Sequence, residues 1–250
     1  MIRRVLAGVM LVTIAASAHD ADLAVLSAGA FNTVAVALLP AFQSSTGNTV
    51  TLQKDTVGGL VRRITGGEMF DVVLMSPAGL DELARAGKIA AGTVTPLARV
   101  GIGVGIKAGA QAPDISTVAA FRAAMLNARA VAYIDPASGG SSGIYLVNLF
   151  RTMGIADAMA PKSVLVNGGL AAATLLDGQA DLALQQISEI IAIPGVTLVG
   201  PLPTEIQTET TYAGAIAAGS SKTDAAQAFL AAMADPAARP VLTAKGMTPP

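Results

Sequence analysis

The sequence predicts an α/β protein of two Rossmann-like lobes joined by two crossover strands. Three observations carry that expectation. Short strand-type apolar runs alternate with apolar residues at helical spacing, once in the first third of the chain and again in the middle. Between the two sets lies a glycine-rich apolar run, Val100–Ile106, that no helix follows. A further apolar run, Thr210–Ala218, is placed to return beside it. Two such crossings assign residues 19–100 and 208–250 to lobe 1 and residues 101–207 to lobe 2, with a cleft between them.

In order, Leu23–Ser27 reads as a strand, broken at Ala28-Gly29-Ala30. Phe31, Val34, Leu38, Leu39 and Phe42 then share one helical face, and Thr46-Gly47-Asn48 ends that helix. Val50–Gln53 is a second strand. Thr56 is placed to cap a helix over Val57–Thr65, which Gly66-Gly67 stops. Phe70–Met75 is a third strand, and Pro77 suits the first turn of a helix over Ala78–Ala86. Strand–helix alternation at these intervals implies a mainly parallel sheet with right-handed crossovers. Val100–Ile106 is a long strand passing between lobes, where glycine permits bending. Its G-x-G spacing is not a dinucleotide fingerprint, because Lys107–Pro113 reads as a turn.

The second set opens with a helix over Ile115–Leu126, capped by Asp114 or Ser116. The strand Ala130–Ile134 follows, then a Gly/Ser loop over residues 135–143 and a helix from Ile144. Ser163–Val166 is a strand, Leu170–Leu176 a helix, and Asp181–Leu184 a strand leading into Gln185-Gln186-Ile187-Ser188-Glu189. After Thr210–Ala218, Thr223–Ala234 and Pro236–Lys245 are helical, with Gly246 closing the last.

At 250 residues with 52% apolar side chains, the chain can bury a sizeable core without covalent staples. It has no cysteine, which excludes disulfides, thiolate nucleophiles and cysteine metal clusters. The net charge of −1 and the lack of any basic cluster beyond Arg62-Arg63 argue against a nucleic-acid partner. The first residues have the form of a leader: Arg3 and Arg4, the apolar run Val5–Ala16, and the small-x-small signal Ala16-Ser17-Ala18. Val5–Ala16 falls short of the ~20 apolar residues of a membrane span. Cleavage after Ala18 and export to a periplasm are expected. Removal of Arg3 and Arg4 leaves 14 basic against 17 acidic side chains, a net charge near −3. Packing alone would then stabilise the exported protein.

The stretch Val131–Phe150 carries the chemistry. A strand feeding a Gly/Ser loop, which feeds a helix, sets free first-turn amides and hydroxyls at a positive helix end, which is a ready anion site. Ligands of such sheets sit beyond the C-terminal strand ends. Neutral donors collect at those predicted tips: Ser27, Thr56, Ser76, Ser141, Ser142, Asn167, Gln185, Gln186 and Ser188, with the backbone of Gly29, Ala30, Val57 and Gly143. Such groups suit a dehydrated anion held by many hydrogen bonds and little counter-charge, with Lys54, Arg62 or Arg63 as nearby cations.

Other chemistries fare worse. Gly139–Gly143 matches G-x-S-x-G between a strand and a helix, but a hydrolase triad needs a histidine after the serine, and His19 is the one histidine of the chain. No His/Asp/Glu group stands at metal-ligand spacing, and no cofactor is implied.

Four stretches, taken with the leader, resemble one known family: S-A-G-A at Ser27–Ala30; T-x-G-x-L-x-x-x-I-x-x-G-x-x-x-D-V at Thr56–Val72; D-P-x-S-G-G-x-S-G-I-Y at Asp135–Tyr145; and G-x-A-D at Gly178–Asp181. They resemble periplasmic substrate-binding proteins of the molybdate-binding type. The resemblance implies a type 2 periplasmic-binding architecture whose lobes close on a small anion. It implies a monomeric receptor serving the membrane permease of an ABC-type importer. Anion contacts would fall on Ser27, on Ser76 or the Thr56 turn, and around Ser142-Gly143. The family's strand-end serine pair stands here as Ala28-Gly29, and its Y-x-S-D-A segment as residues 185–189, so an organic acid is as open as an oxyanion. The family also resembles a periplasmic aconitate isomerase. On that reading a carboxylate, Asp135, Glu189 or Asp55, would move a proton across an unsaturated tricarboxylate.

Overall fold

The computed structural model describes residues 21–250; the expected leader and His19 lie outside them. The chain runs β1 (Asp22–Ala28), α1 (Gly29–Thr46), β2 (Thr49–Asp55), α2 (Val57–Thr65), β3 (Val72–Met75), α3 (Pro77–Arg85) and β4 (Thr95–Lys107). It continues α4 (Val118–Asn127), β5 (Val131–Ile134), α5 (Ser141–Thr152), α6 (Ala156–Met159), β6 (Ser163–Val166), β7 (Leu182–Gln186), α7 (Ile187–Ile190), β8 (Val196–Pro201), β9 (Glu209–Ile216), α8 (Thr223–Ala234) and α9 (Arg239–Ala244).

The strands form two sheets that share β4. In the first, β2, β1 and β3 are parallel in that spatial order, and β9 runs antiparallel between β3 and the first half of β4. In the second, β6, β5 and β7 are parallel, and the second half of β4 runs antiparallel between β7 and β8. Each half thus repeats one plan: three parallel strands with the first in the middle, closed by an antiparallel crossing strand.

A single strand serves both sheets because β4 is 13 residues long and shifts register between Pro96 and Ala98 and again between Val104 and Gly105. One of these shifts falls at a glycine of the strand, Gly105, and its glycines have a second role. They provide room: a Cβ on Gly103 would lie 2.8 Å from both Ile187 Cγ1 and Leu198 Cδ1, and none of the three β4 glycines has positive φ. The chain crosses back through residues 202–208. There Gln207 mimics a strand, its Nε2 donating to the Ile102 carbonyl at 2.8 Å and its Oε1 accepting from the Ile102 N–H at 3.0 Å. The return strand, β9, pairs with Thr95–Gly101 rather than with the centre of the glycine run.

The core of the first sheet is built on Phe31, Phe42 and Phe229, with Phe42 and Phe229 edge to face at 5.2 Å, so α8 closes over α1. The second sheet buries Phe121, Phe150 and Leu146 on one face and Leu175, Ala183 and Ile190 on the other.

Several local expectations change. α1 begins at Gly29 and α5 at Ser141, so the small residues read as loop are the first helical turns. Thr117, not Asp114 or Ser116, caps α4, its Oγ1 accepting from Ala120 N–H. Leu170–Leu176 forms only a 3₁₀ turn over Ala171–Leu175. β8, with Gly200 and Pro201 in a short run, carries no clear strand signature in the sequence.

Candidate functional site

Three helix N-termini converge on one cavity of about 310 Å³ between the sheets. α1, α2 and α5 each start directly after the C-terminal end of a strand or its loop, and none has an acidic residue in its first turn. Ala28 precedes α1 and Gly140 precedes α5, and neither supplies a capping side chain. The first amides of both helices therefore keep their donors free, at the positive end of the helix dipole. α2 is capped by Thr56, whose Oγ1 accepts from Gly59 N–H at 3.0 Å.

Of the donors expected from the sequence, Gly29, Ala30, Thr56, Val57, Ser141, Ser142, Asn167 and Gln186 line this cavity. Five do not. Ser27 is fully buried and its hydroxyl donates to the Ala28 carbonyl. Ser188 is fully buried and donates to the Ala30 carbonyl at 3.0 Å, tying α7 to α1. Gly143 turns toward β5, where a Cβ would lie 2.0 Å from the Ile134 carbonyl oxygen. Ser76 precedes α3 outside the cavity wall, and the first turn of that helix is covered by Val57. Gln185 is fully buried, with Oε1 accepting from Ala172 N–H and Nε2 donating to Gly169 O.

The three carboxylates separate clearly. Asp135 is not on the cavity wall; it caps a 3₁₀ turn, accepting from Ala137 N–H at 2.9 Å. Asp55 is on the wall but committed, accepting from Thr56 N–H and pairing with Arg63 at 3.5 Å. Glu189 is on the wall, 7% exposed, and makes no ion pair among the described residues. Burial pushes its carboxyl up to about 8, opposed by the Gln185 amide and the Lys54 charge. Held toward its neutral form, it repels an anion less than an ionised carboxylate would. Room for it comes from Gly29, where a Cβ would lie 2.4 Å from Glu189 Oε1. Of the cations, Lys54 lines the cavity, Arg63 is paired with Glu68, and Arg62 reaches the Ser138 carbonyl at 3.5 Å.

Sequence reasoning missed Tyr212. It lies on β9, more than 20 residues from any predicted donor, and reaches the cavity because β9 returns between β3 and β4. Its ring stacks on Phe31 at 6.3 Å, and burial together with Glu189 pushes its hydroxyl well above the ordinary range. Ala28, Ile134, Gly140 and the Gly168–Leu170 turn complete the wall.

Beside the cavity the two halves touch directly. Thr56 Oγ1 donates to the Ser138 carbonyl at 2.6 Å, and Gly58 N–H donates to the Gly139 carbonyl at 3.2 Å.

The match to known proteins fits this geometry. The model of the bacterial extracellular solute-binding proteins covers residues 23–248. The chain belongs to that family. The solute-binding protein is also 32% identical over 233 residues to an aconitate isomerase from Pseudomonas sp, covering 91% of this chain and 87% of that one. Among solved structures, it resembles the periplasmic molybdate-binding protein of Azotobacter vinelandii at a TM-score of 0.77 and 20% identity, over 91% and 99% of the two chains. The sulfate-binding protein SubI of Mycobacterium tuberculosis gives 0.73 and 18% identity, over 92% and 87%. These likenesses establish the type 2 periplasmic-binding fold. Among the described residues, no helix is long and apolar enough to cross a membrane.

Proposed function

We propose that this protein is exported, as a monomer, to the periplasm and binds a small organic acid anion between its lobes, serving the permease of an ABC-type importer. The observation that carries the reading is the convergence of the α1, α2 and α5 N-termini on one cavity whose wall, among the described residues, holds one cation without an ion pair, Lys54. Two features favour an organic acid over a bare tetrahedral oxyanion. The cavity has the size of a small-metabolite site, and its wall includes Ile134, Leu170 and the Tyr212 ring, apolar surface that suits a carbon skeleton. Thermal-shift measurements against molybdate, sulfate and a panel of di- and tricarboxylates test it. At 100 times the dissociation constant the carboxylates should stabilise the protein by about 2.7 kcal/mol. Stabilisation by molybdate alone would reassign the ligand, and no shift with any anion would remove the reading.

A second reading is favoured by Glu189. It is an unpaired carboxyl facing the cavity, in a chain related to an aconitate isomerase. As a base it would take a proton from the allylic carbon of an unsaturated tricarboxylate and return it at the far end of the shifted double bond, with no net oxidation. Asp135 and Asp55 are poorly placed for that step. Activity would rise with pH toward about 8 as the carboxyl ionises. Incubation with cis- and trans-aconitate, followed by chromatography, tests it. Interconversion that Glu189→Gln abolishes would support an enzyme; interconversion that survives the substitution would rule out this base.

A further inference from the structure

Gln186 ends β7 on the cavity wall with 2% of its surface exposed. Its Nε2 donates to Thr210 Oγ1 at 2.8 Å. Its Oε1 is buried and has no partner among the described residues. A buried carbonyl oxygen without a donor is costly, and such groups mark places where a partner arrives from outside the chain. Every other feature of the cavity that suits an anion offers donors: free amides of α1 and α5, the Ser141 and Ser142 hydroxyls, and Lys54. Gln186 asks for the opposite.

We infer that the ligand is a hydroxylated carboxylic acid, with its carboxylates on the helix N-termini and its hydroxyl donating to Gln186 Oε1. The inference rests on the organic-acid reading above and narrows it. Carboxylates, sulfate and molybdate only accept near neutral pH, so none of them can satisfy Oε1. An ammonium group would bring a charge that needs a counter-charge; on the same wall, Asp55 is paired with Arg63 and burial holds Glu189 toward its neutral form. A hydroxyl carries its proton at every pH and brings no charge. Sites built to bond a hydroxyl reject the analogue lacking it, because their own polar group is left unpaired.

Calorimetric titration of the full mature protein with matched pairs tests this: malate against succinate, and citrate against tricarballylate, with aspartate as the amine counterpart. The hydroxylated member of the pair that fits should bind about tenfold or more tighter than its deoxy partner. In Gln186→Met, checked for folding by circular dichroism, that ratio should fall toward one. Equal affinities within both pairs in the unsubstituted protein, or tighter binding of aspartate, would overturn the inference while leaving an anion site standing. So would a ratio that survives Gln186→Met. Failure of every acid to bind would remove the organic-acid reading itself.

Discussion

Gly58 and Gly139 stand so close beside the cavity that neither tolerates a side chain: a Cβ on Gly58 would lie 2.8 Å from Gly139 Cα, and a Cβ on Gly139 2.6 Å from Gly58 Cα. Around that contact, two hydrogen bonds join the start of α2 to the Ser138–Gly139 turn. The two halves meet here backbone to backbone, beside the site that a closed cleft would cover.

Gly58→Ala should therefore separate ligand response from intrinsic stability. Gly58 lies inside α2, where alanine gains up to about 1 kcal/mol in helix propensity. The same methyl collides with Gly139 and holds the lobes apart. The unliganded melting temperature is expected to hold or rise while the ligand-induced shift shrinks. A full ligand shift in the variant would show that closure does not need this contact.

Glu189 makes stability depend on pH in a particular direction. Its folded value is raised from 4.5 to about 8, so the native state holds a proton that the unfolded chain releases. The contribution is fully present below about 4.5 and is lost as pH rises toward about 8, by up to tenfold in the folding equilibrium per pH unit. Urea unfolding from pH 5 to 9 reads this out, and Glu189→Gln should flatten the slope. An unchanged slope in the variant would assign it to another group.

Asp71 works with the opposite sign. Burial opposes its ionisation, but the Ala24 N–H, the Ser220 hydroxyl and Lys222 outweigh burial and lower its value. Its contribution is present above the ordinary carboxylate range and is lost as pH falls through the lowered value. Asp71→Ala leaves these partners of β1 and of the turn before α8 unsatisfied and should cost about 3 kcal/mol at pH 7, measured by denaturant unfolding. A cost under about 1 kcal/mol would mean that water replaces the carboxylate.

Gly143→Ala tests how α5 is seated. The added methyl would lie 2.0 Å from the Ile134 carbonyl oxygen, a backbone atom that cannot swing aside. The helix must retreat from β5, at a cost of about 2 kcal/mol or more. Ser141 and Ser142 would retreat with it, so ligand affinity should fall together with stability. Melting curves with and without ligand distinguish this from a purely local loss.

Much of the fold was legible because local signals agreed. Thr56 caps α2 as its spacing predicts, Pro77 opens α3, and the three strand–helix units of the first lobe follow the apolar periodicity. What failed had weak or shared signals. β8 is short and contains Gly200 and Pro201, and the Asp114, Ser116 and Thr117 cluster offers three caps of which packing selects the last. In the site, the donors on the α1, α2 and α5 turns could be read because strand ends point one way in a parallel sheet. Ser27 and Ser188 could not be excluded from sequence: Ser27 is fully buried and bonds to the next residue's carbonyl, and Ser188 bonds to a carbonyl of α1 that only the tertiary fold brings near. Tyr212 reaches the wall through the antiparallel return of β9, a long-range pairing with no local trace.

One thread of chain, β4, is stitched into both halves, and β9 reaches the first sheet only after the second is complete. A fragment that stops before Glu209 leaves β3 with a bare edge, and one that starts after Lys107 strips the second sheet of its closing member. Neither half is a transferable module. New tastes in solute are thus expected to arise through piecemeal replacement of wall residues, since trading one half for a cousin's would unravel the donor and the recipient alike.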